Sequence, residues 1–257
     1  MKSGNRILSI DIMRGLTLLL MLFVNDLNMR VAPVWLGHMP ADFDGMGLAA
    51  SLFYLVTRDS ITGTAIAVMV FLTVNILDAS GLLSFLDPAR PALGIIIQGN
   101  VPLIVLTGVL AGVIIRKMKE SGNERILTIL ITLGFLSLAI GFILRNWFLI
   151  SKIQATPSWG MICSGISFMV FAVIYWLADV KGMTGWAAFV RPPGRHSLTT
   201  YLAPDILYHA IWMSAVPLLI YKQSSEPLVV IVGSIAWALL MAGLTALLAK
   251  INIKLKL

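Results

Sequence analysis

Long apolar segments alternate with short polar ones along the chain, and this pattern predicts a bundle of membrane-spanning helices. A helix needs about 20 mostly apolar residues to cross a hydrocarbon core of about 30 Å. One apolar segment, Met46–Thr57, is shorter than this and has only 12 residues. As a helix it would cover about 18 Å, so it is either a half-helix or part of a helix that begins in the preceding polar loop. The segments of full length are Ile7–Leu27, Ile61–Leu77, Ile95–Ile115, Ile126–Leu144, Trp159–Leu177, Ser197–Ile220 and Leu228–Ala249.

The distribution of basic residues predicts that the short segment also crosses. With eight crossings and a cytoplasmic N-terminus, thirteen of the nineteen Lys and Arg residues lie in cytoplasmic loops, five lie outside and Arg14 lies within a span. This bias follows the positive-inside rule, whereas seven crossings would move the N-terminus or the later basic loops outside. We therefore expect an all-α polytopic bundle of about eight crossings, one of them short, with both termini cytoplasmic.

Composition supports the same class and excludes others. Hydrophobic residues make up 58% of the 257 residues and charged residues only 12%, against about 25% charged in a typical soluble domain. A soluble enzyme and a disordered protein are thereby excluded. The net charge of +7 is explained by sidedness, so no nucleic-acid partner is needed. The first apolar segment is also too long for a cleavable signal peptide.

Ionisable residues in the first span are candidate functional groups, because charges within a membrane are costly. Asp11 and Arg14 are three residues apart and share a helix face. They form either an ion pair or two side chains that extend to the cytoplasmic interface. The span ends at Asn25-Asp26, and the next loop holds His38 and Asp44. An imidazole beside carboxylates is suited to general-base chemistry, although ordinary solvated loop residues would give the same pattern.

A second polar group lies at the start of the sixth full-length segment, Ser197–Ile220. Arg195 and His196 precede it, and Asp205 and His209 follow within it at a spacing of four residues. This spacing places the last two on one helix face, where they either satisfy each other or line a proton or substrate pathway. The three histidines and the single cysteine of the chain have no metal-ligand spacing, so we assign no metal.

Several segments resemble the heparan-α-glucosaminide N-acetyltransferase family of multi-pass membrane acyltransferases, which has many bacterial members. The resemblance covers most of the chain. It rests on the residues RILSIDIMRGLT at 6–17, the Val24-Asn25 exit from the first span, the pattern His38…Phe43-Asp44-Gly45…Leu48-Ala49, the residues ATPSWG at 155–160, and Gly194…Leu198…Tyr201…Asp205.

The resemblance implies an activity in which cytoplasmic acetyl-CoA donates an acetyl group to a sugar amine or hydroxyl on the outer face. By the family's pattern, His38 matches the catalytic histidine, which would take a proton from the acceptor or carry the acetyl group itself. Asn25 matches the asparagine at the exit of the first span. The acetyl-CoA phosphates would lie near Arg14, Arg6 or the basic loop at Arg191–Arg195, with Asp11, Asp44, His196 and Asp205 as further binding residues. The expected partners are the lipid bilayer, an acyl-CoA and a glycan acceptor, and the expected location is a bacterial inner membrane.

The chain also departs from the family pattern. After Ala49 the family continues with an Asp and a long second span, whereas this chain runs into a segment that resembles a much later part of the family. We infer an internal deletion at Ala49/Ala50 that joins residues 1–49 to residues 50–257 as one domain. His196 stands where the family usually has Asn.

Three interpretations therefore remain: a working acyltransferase, a non-catalytic relative shortened by the deletion, or an unrelated transporter. No internal repeat is visible in the sequence, which argues against many transporter folds. Gly108 and Gly112 have the small-xxx-small spacing of closely packed helices, which permits a homo-oligomer.

Overall fold

The computed structural model describes residues 7–28, 30–32, 60–122, 125–214 and 219–251. Helices account for 81% of these residues, and no strand occurs among them. The α-helices are α1 (Leu8–Asp26), α2 (Ile61–Ala79), α3 (Arg90–Gln98), α4 (Asn100–Glu120), α5 (Ile126–Leu144), α6 (Pro157–Tyr175), α7 (Arg191–Arg195), α8 (Ser197–Ser214) and α9 (Pro227–Lys250). Helix α6 continues as a π-helical turn, Trp176–Val180, and 3-10 helices form at Ser84–Ala89, Gly185–Ala187 and Ile220–Gln223.

Six helices in the described ranges are long and apolar enough to cross a membrane. They are α1, α2, α4, α5, α6 with its π-helical turn, and α9. The chain is thus a polytopic α-helical membrane protein, as its hydrophobic pattern predicts. Helix α8, which corresponds to the predicted span Ser197–Ile220, is helical over 18 residues but is not among the six. The short segment Met46–Thr57 and the junction at Ala49/Ala50 lie outside the described residues.

One predicted span begins later than its hydrophobicity indicates. The segment Ile95–Ile115 was expected to be one helix, but α3 ends at Gln98 and α4 begins at Asn100. Between them Gly99 has a φ of 71°, a left-handed conformation that glycine adopts without steric cost. This residue ends one helix and redirects the chain into the next, a change that an apolar count does not detect.

The described residues form two compact units. Unit 1 is drawn from residues 1–39 and 174–257, and unit 2 from residues 40–173. Small apolar clusters around α1 form the core of unit 1: Ile12 packs with Val190, and Leu22 packs with Trp237 and Met241 of α9. Helix α1 is therefore the element on which unit 1 is assembled.

Close helix packing in the described part of unit 2 occurs at Gly141 and Gly165. Among the described residues nothing lies within 4 Å of a Cβ built at Gly108 or Gly112, so no close packing at this pair is found in the described part of the chain, and the pairing that its spacing permits stays a prediction. Instead, a Cβ at Gly141 would meet Ile162, and one at Gly165 would meet Leu138. Helices α5 and α6 thus pack antiparallel through their own glycines, which let the two backbones approach closely.

Candidate functional site

The N-terminal end of α1 brings together basic residues that are far apart in the sequence. The Asp11 side chain is 5% exposed, and one of its oxygens lies 3.4 Å from Nε of Arg195. The guanidinium of Arg14 donates to the carbonyl oxygen of Gly194 at 3.4 Å. Both side chains of α1 therefore reach α7 and the residues around it. We call Arg14, Arg191 and Arg195, with Asp11, the arginine cluster.

The arginine cluster forms because α1 and α7 cross with their backbones almost in contact. A Cβ added to Gly15 would collide with the carbonyl group of Val190, and one added to Gly194 would collide with the carbonyl group of Asp11. Two glycines at the crossing remove the side chains that would separate the helices. The short helix that carries two arginines is consequently held against the turn of α1 that carries Asp11.

The N-terminus of α1 is held by a carboxylate as well. The backbone N–H groups of Leu8 and Ser9 donate to the two oxygens of Asp179, at 3.2 and 2.8 Å. The first N–H groups of a helix have no partner within it, and a negative charge is favourable at that end. Asp179 thereby fixes the end of α1 that carries Asp11.

The arginine cluster has the charge and donors to bind an anion. The guanidinium of Arg195 contacts the buried carboxylate of Asp11. The guanidinium of Arg14 reaches Gly194 of α7, and Arg191 is the first residue of the same short helix. The cluster thus carries three cationic side chains and one carboxylate. Among the described residues, Nε of Arg191 is buried and makes no hydrogen bond. Guanidinium groups bind phosphate oxygens through paired, charge-assisted hydrogen bonds. A phosphate group at this place would supply an acceptor for Arg191.

The C-terminal end of α1 holds a second, almost completely buried group. The Asp26 side chain is 1% exposed and lies 2.7 Å from Nζ of Lys222. The hydroxyl of Tyr208 donates to one Asp26 oxygen, and that of Tyr221 donates to the other at 2.6 Å. Tyr208 also accepts a hydrogen bond from Lys222 at 3.1 Å, and its ring stacks on Trp237. We call Asp26, Tyr208, Tyr221 and Lys222 the Asp26 cluster.

The Asp26 cluster ties the turn between α8 and α9 to α1. Burial and the hydrogen bond to Asp26 raise the pKa of Tyr221 well above its ordinary value, so its phenol stays a neutral donor. Asn28 adds a hydrogen bond from its amide to the carbonyl of Lys222 at 2.9 Å. Every oxygen of the carboxylate has a donor, which is the condition for a stable charge in an apolar interior.

The predicted site residues are distributed over both ends of α1 and beyond. Asp11, Arg14 and Arg195 come together, and His196 directly follows Arg195 at the end of α7. Asn25 lies exposed in the last turn of α1, beside the buried Asp26. The predicted residues His38 and Asp44 lie outside the described residues.

The structure does not bring Asp205 to the arginine cluster. Asp205 is exposed on α8, eight residues and about 12 Å of helical rise beyond Ser197, where that helix begins. The predicted proximity to His209 is found, but the ring nitrogen of His209 contacts the backbone carbonyl of Asp205 at 2.7 Å. That contact is local and carries no evidence of a pathway.

The partners of Asp26 were missed in the sequence, although a signal for them existed. A carboxylate at the end of an apolar span needs a cation or several donors. In the predicted topology the segment around Lys222 lies on the same side of the membrane as Asp26, and Lys222 is the only basic residue between α8 and α9. Matching charges by predicted side would have proposed this pair.

Unit 2 contains a buried amide network that sequence reasoning also missed. The amide of Asn75 donates to the carbonyls of Gln98 and Ala155, at 2.7 and 2.9 Å, and that of Asn100 donates to the carbonyl of Thr156 at 3.0 Å. Ala155 itself has a left-handed φ of 48°. The network satisfies carbonyl groups at the breaks before α4 and α6, which explains why two polar side chains are completely buried there.

The described ranges contain no group of three His, Cys, Asp or Glu side chains placed to hold a metal ion. No family model, curated protein or solved structure matches the chain. The acyltransferase resemblance therefore stays a prediction from sequence motifs.

Proposed function

We propose that the protein is a membrane-embedded acyltransferase that takes an acetyl or other acyl group from an acyl-CoA and transfers it to a sugar amine or hydroxyl. The observation that carries the proposal is the arginine cluster. The residues expected at the acyl-CoA phosphates, Arg14 and the Arg191–Arg195 loop, meet at one buried glycine crossing. A coenzyme with several phosphate groups is the anion that the resemblance implies for this cluster.

Helix α1 also links the two reaction partners in this proposal. Asp11 and Asn25 lie at opposite ends of the helix, about 21 Å apart along its axis. The donor's phosphates would bind at the first end, and the acyl group would reach the second. There Asn25, which is exposed, would donate a hydrogen bond to the oxygen of the thioester carbonyl as negative charge develops on it.

The transfer itself is an ordinary acyl exchange. The acceptor's nitrogen or oxygen attacks the thioester carbonyl carbon, the carbon–sulfur bond breaks, and coenzyme A leaves as its thiol. His38 would remove the acceptor's proton during the attack and return it to the departing sulfur.

The proposal is tested first by binding of coenzyme A to the full-length purified protein. Arg195→Gln removes a guanidinium from the arginine cluster, and we expect it to weaken binding about 10-fold to 100-fold, as a lost charge-assisted hydrogen bond does. Arg145→Gln, at an exposed arginine of unit 2, is the matched control and should leave the affinity unchanged. An affinity that Arg195→Gln does not alter, or a wild-type protein that does not bind, overturns the proposal.

Turnover is tested separately by thiol release from acetyl-CoA with glucosamine as the acceptor. The assay uses Cys163→Ala protein, because Cys163 is the only thiol of the chain and would react with the detecting reagent. We expect His38→Ala and Asn25→Ala to lose thiol release and to keep coenzyme A binding. A protein that binds coenzyme A without releasing thiol would instead be the non-catalytic relative.

A further inference from the structure

One end of unit 2 exposes large apolar side chains in its loops. We call Leu82, Phe85, Trp147, Leu149 and Ile153 the apolar loop end, and their exposed fractions lie between 64% and 76%. They belong to the connections between α2 and α3 and between α5 and α6, so they lie outside the six apolar helices. In water, loops that display such residues together would be unfavourable.

The hydrogen bonds of the buried amide network show that both connections lie at the same end of unit 2. Asn75, near the end of α2, donates to the carbonyl of Gln98 just before α4 and to that of Ala155 just before α6. Ser158, in the first turn of α6, donates to the carbonyl of Phe148 at 2.8 Å. The two connections therefore meet where four spanning helices begin or end, which is at a membrane boundary.

The first connection is also held in shape. Arg90 lies 2.5 Å from an oxygen of Asp78 and 2.6 Å from one of Asp87. This bridge joins the 3-10 helix that carries Phe85 to the end of α2, and it pairs both carboxylates. Each of the two carboxylates consequently has the Arg90 guanidinium as a partner.

The opposite end of unit 2 is different, and the contrast indicates what the loops face. The last turn of α4 and the residue after it expose Lys117, Lys119, Glu120 and Ser121, while Met118 is buried. No large hydrophobic side chain is exposed between Ile96 and Phe135 in the part of the chain described. A polar turn is typical of a loop in water, so the apolar loops of the other end meet a different environment.

The charged residues of the α5–α6 connection indicate which environment the apolar loops meet. Arg145 and Lys152 are exposed within the same connection as Trp147 and Ile153. The border of a bilayer provides acyl chains for the apolar side chains and phosphate groups for long basic ones. Tryptophan is enriched at that depth because its ring is apolar and its N–H is polar.

We propose that the apolar loop end is a lipid-binding surface that inserts into the headgroup region of the bilayer. Leu149, Ile153 and Phe85 enter the upper acyl chains there, and Arg145 and Lys152 reach the lipid phosphates. The surface thus anchors the α2–α3 and α5–α6 connections in one leaflet. This inference is independent of the acyltransferase proposal.

The single cysteine of the chain makes the test direct. In the Cys163→Ala background, Ile153→Cys is labelled with an environment-sensitive fluorophore in full-length protein reconstituted into phosphatidylcholine–phosphatidylglycerol vesicles. Ser121→Cys is the matched control in the polar turn, and Phe135→Cys, exposed in the middle of α5, marks the bilayer interior. Quenching is measured with lipids spin-labelled near the headgroup or deep in the chain, and with iodide on both sides.

We expect the label at residue 153 to lose most of its fluorescence to shallow spin-labelled lipids and little to iodide. The label at residue 121 should show the reverse, and the label at residue 135 should respond to the deep lipids. Iodide quenching at residue 153 that equals that at residue 121 would place the loop in water and overturn the proposal. Protection of residue 153 from both quenchers would mean that protein, such as a second copy, covers the surface, and it overturns the proposal as well.

Discussion

Replacing Asp26 with Asn is the sharpest test of how unit 1 is held together. Asn keeps the volume of the side chain and one acceptor oxygen, but it removes the charge that faces Lys222 and one acceptor for a tyrosine. Breaking a buried ion pair by removing one partner costs about 3–5 kcal/mol. The Lys222 side chain is 30% exposed, so it can regain part of its hydration. We therefore expect Asp26→Asn to lower the free energy of unfolding by about 2–3 kcal/mol.

The measurement is unfolding of the purified protein in mixed micelles with increasing SDS, followed by tryptophan fluorescence. Trp237, one of the seven tryptophans, stacks on Tyr208 of the Asp26 cluster with ring centroids 4.9 Å apart, so part of the signal comes from this region. Asp205→Asn is the matched control, because it makes the same change at an exposed carboxylate of α8. It should change stability by no more than about 0.5 kcal/mol. A loss for Asp26→Asn no larger than for the control would refute the reasoning.

A double-mutant cycle then separates the ion pair from the other contacts of Asp26. Lys222→Met alone leaves the Asp26 carboxylate with only its two tyrosine donors. The double variant, which also carries Asp26→Asn, removes both charges, so no buried charge is left without a partner. We expect the double variant to be more stable than the sum of the single losses predicts, by at least about 1 kcal/mol. Additive losses would show that Asp26 and Lys222 are close without being energetically coupled.

Three further predictions use the same unfolding assay. Gly15→Ala should lower the free energy of unfolding by about 1–3 kcal/mol, because the added Cβ would collide with the backbone of Val190. Gly108→Ala, which has open space beside it, should not lower it, and equal effects of the two changes would contradict the close crossing. Stability should fall as the pH rises above about 10, because Tyr221 ionises there in the unfolded chain but stays neutral in the folded protein, where its pKa is raised. Tyr221→Phe should make this fall smaller. Asn75→Ala should lower the free energy of unfolding by about 2–4 kcal/mol, because it leaves two buried carbonyl groups without a donor. Thr73→Ala, at an exposed residue of the same helix, should lower it by less than about 0.5 kcal/mol, and an equally small loss for Asn75→Ala would mean that water replaces the amide.

The spans were predictable because each depends only on a local run of apolar residues. Ile126–Leu144 has the same bounds in the sequence prediction and in the structure, and the first span differs by one residue at each end. The third predicted span was wrong in its start, because α4 begins at Asn100 and not at Ile95, and the cause is again local. Hydropathy treats Gly99 as a neutral residue, whereas its left-handed backbone ends one helix and begins another.

The site was less predictable because its contacts join residues that are distant along the chain. Asp11 and Arg195 are 184 positions apart, and Tyr221 and Asp26 are 195 apart. Helical spacing correctly marked Asp11 and Arg14 as neighbours on one face, but it does not show which helix that face meets. The deciding residues are Gly15 and Gly194, whose lack of side chains allows the crossing, and nothing in their local sequence identifies them as a pair.

Helix α1 is the least buried of the six spanning helices, yet both of its ends are fixed by buried charges. The glycine crossing at Gly15 and the two ion pairs therefore fix its register along the membrane normal together. A shift by one turn would move Asp11 away from Arg195 and Asp26 away from Lys222 together, at the cost of two ion pairs. If the acyltransferase proposal holds, this double anchoring has a chemical use. It keeps the phosphate-binding arginines and Asn25 at a constant separation, so that a donor bound at one end presents its thioester at the other.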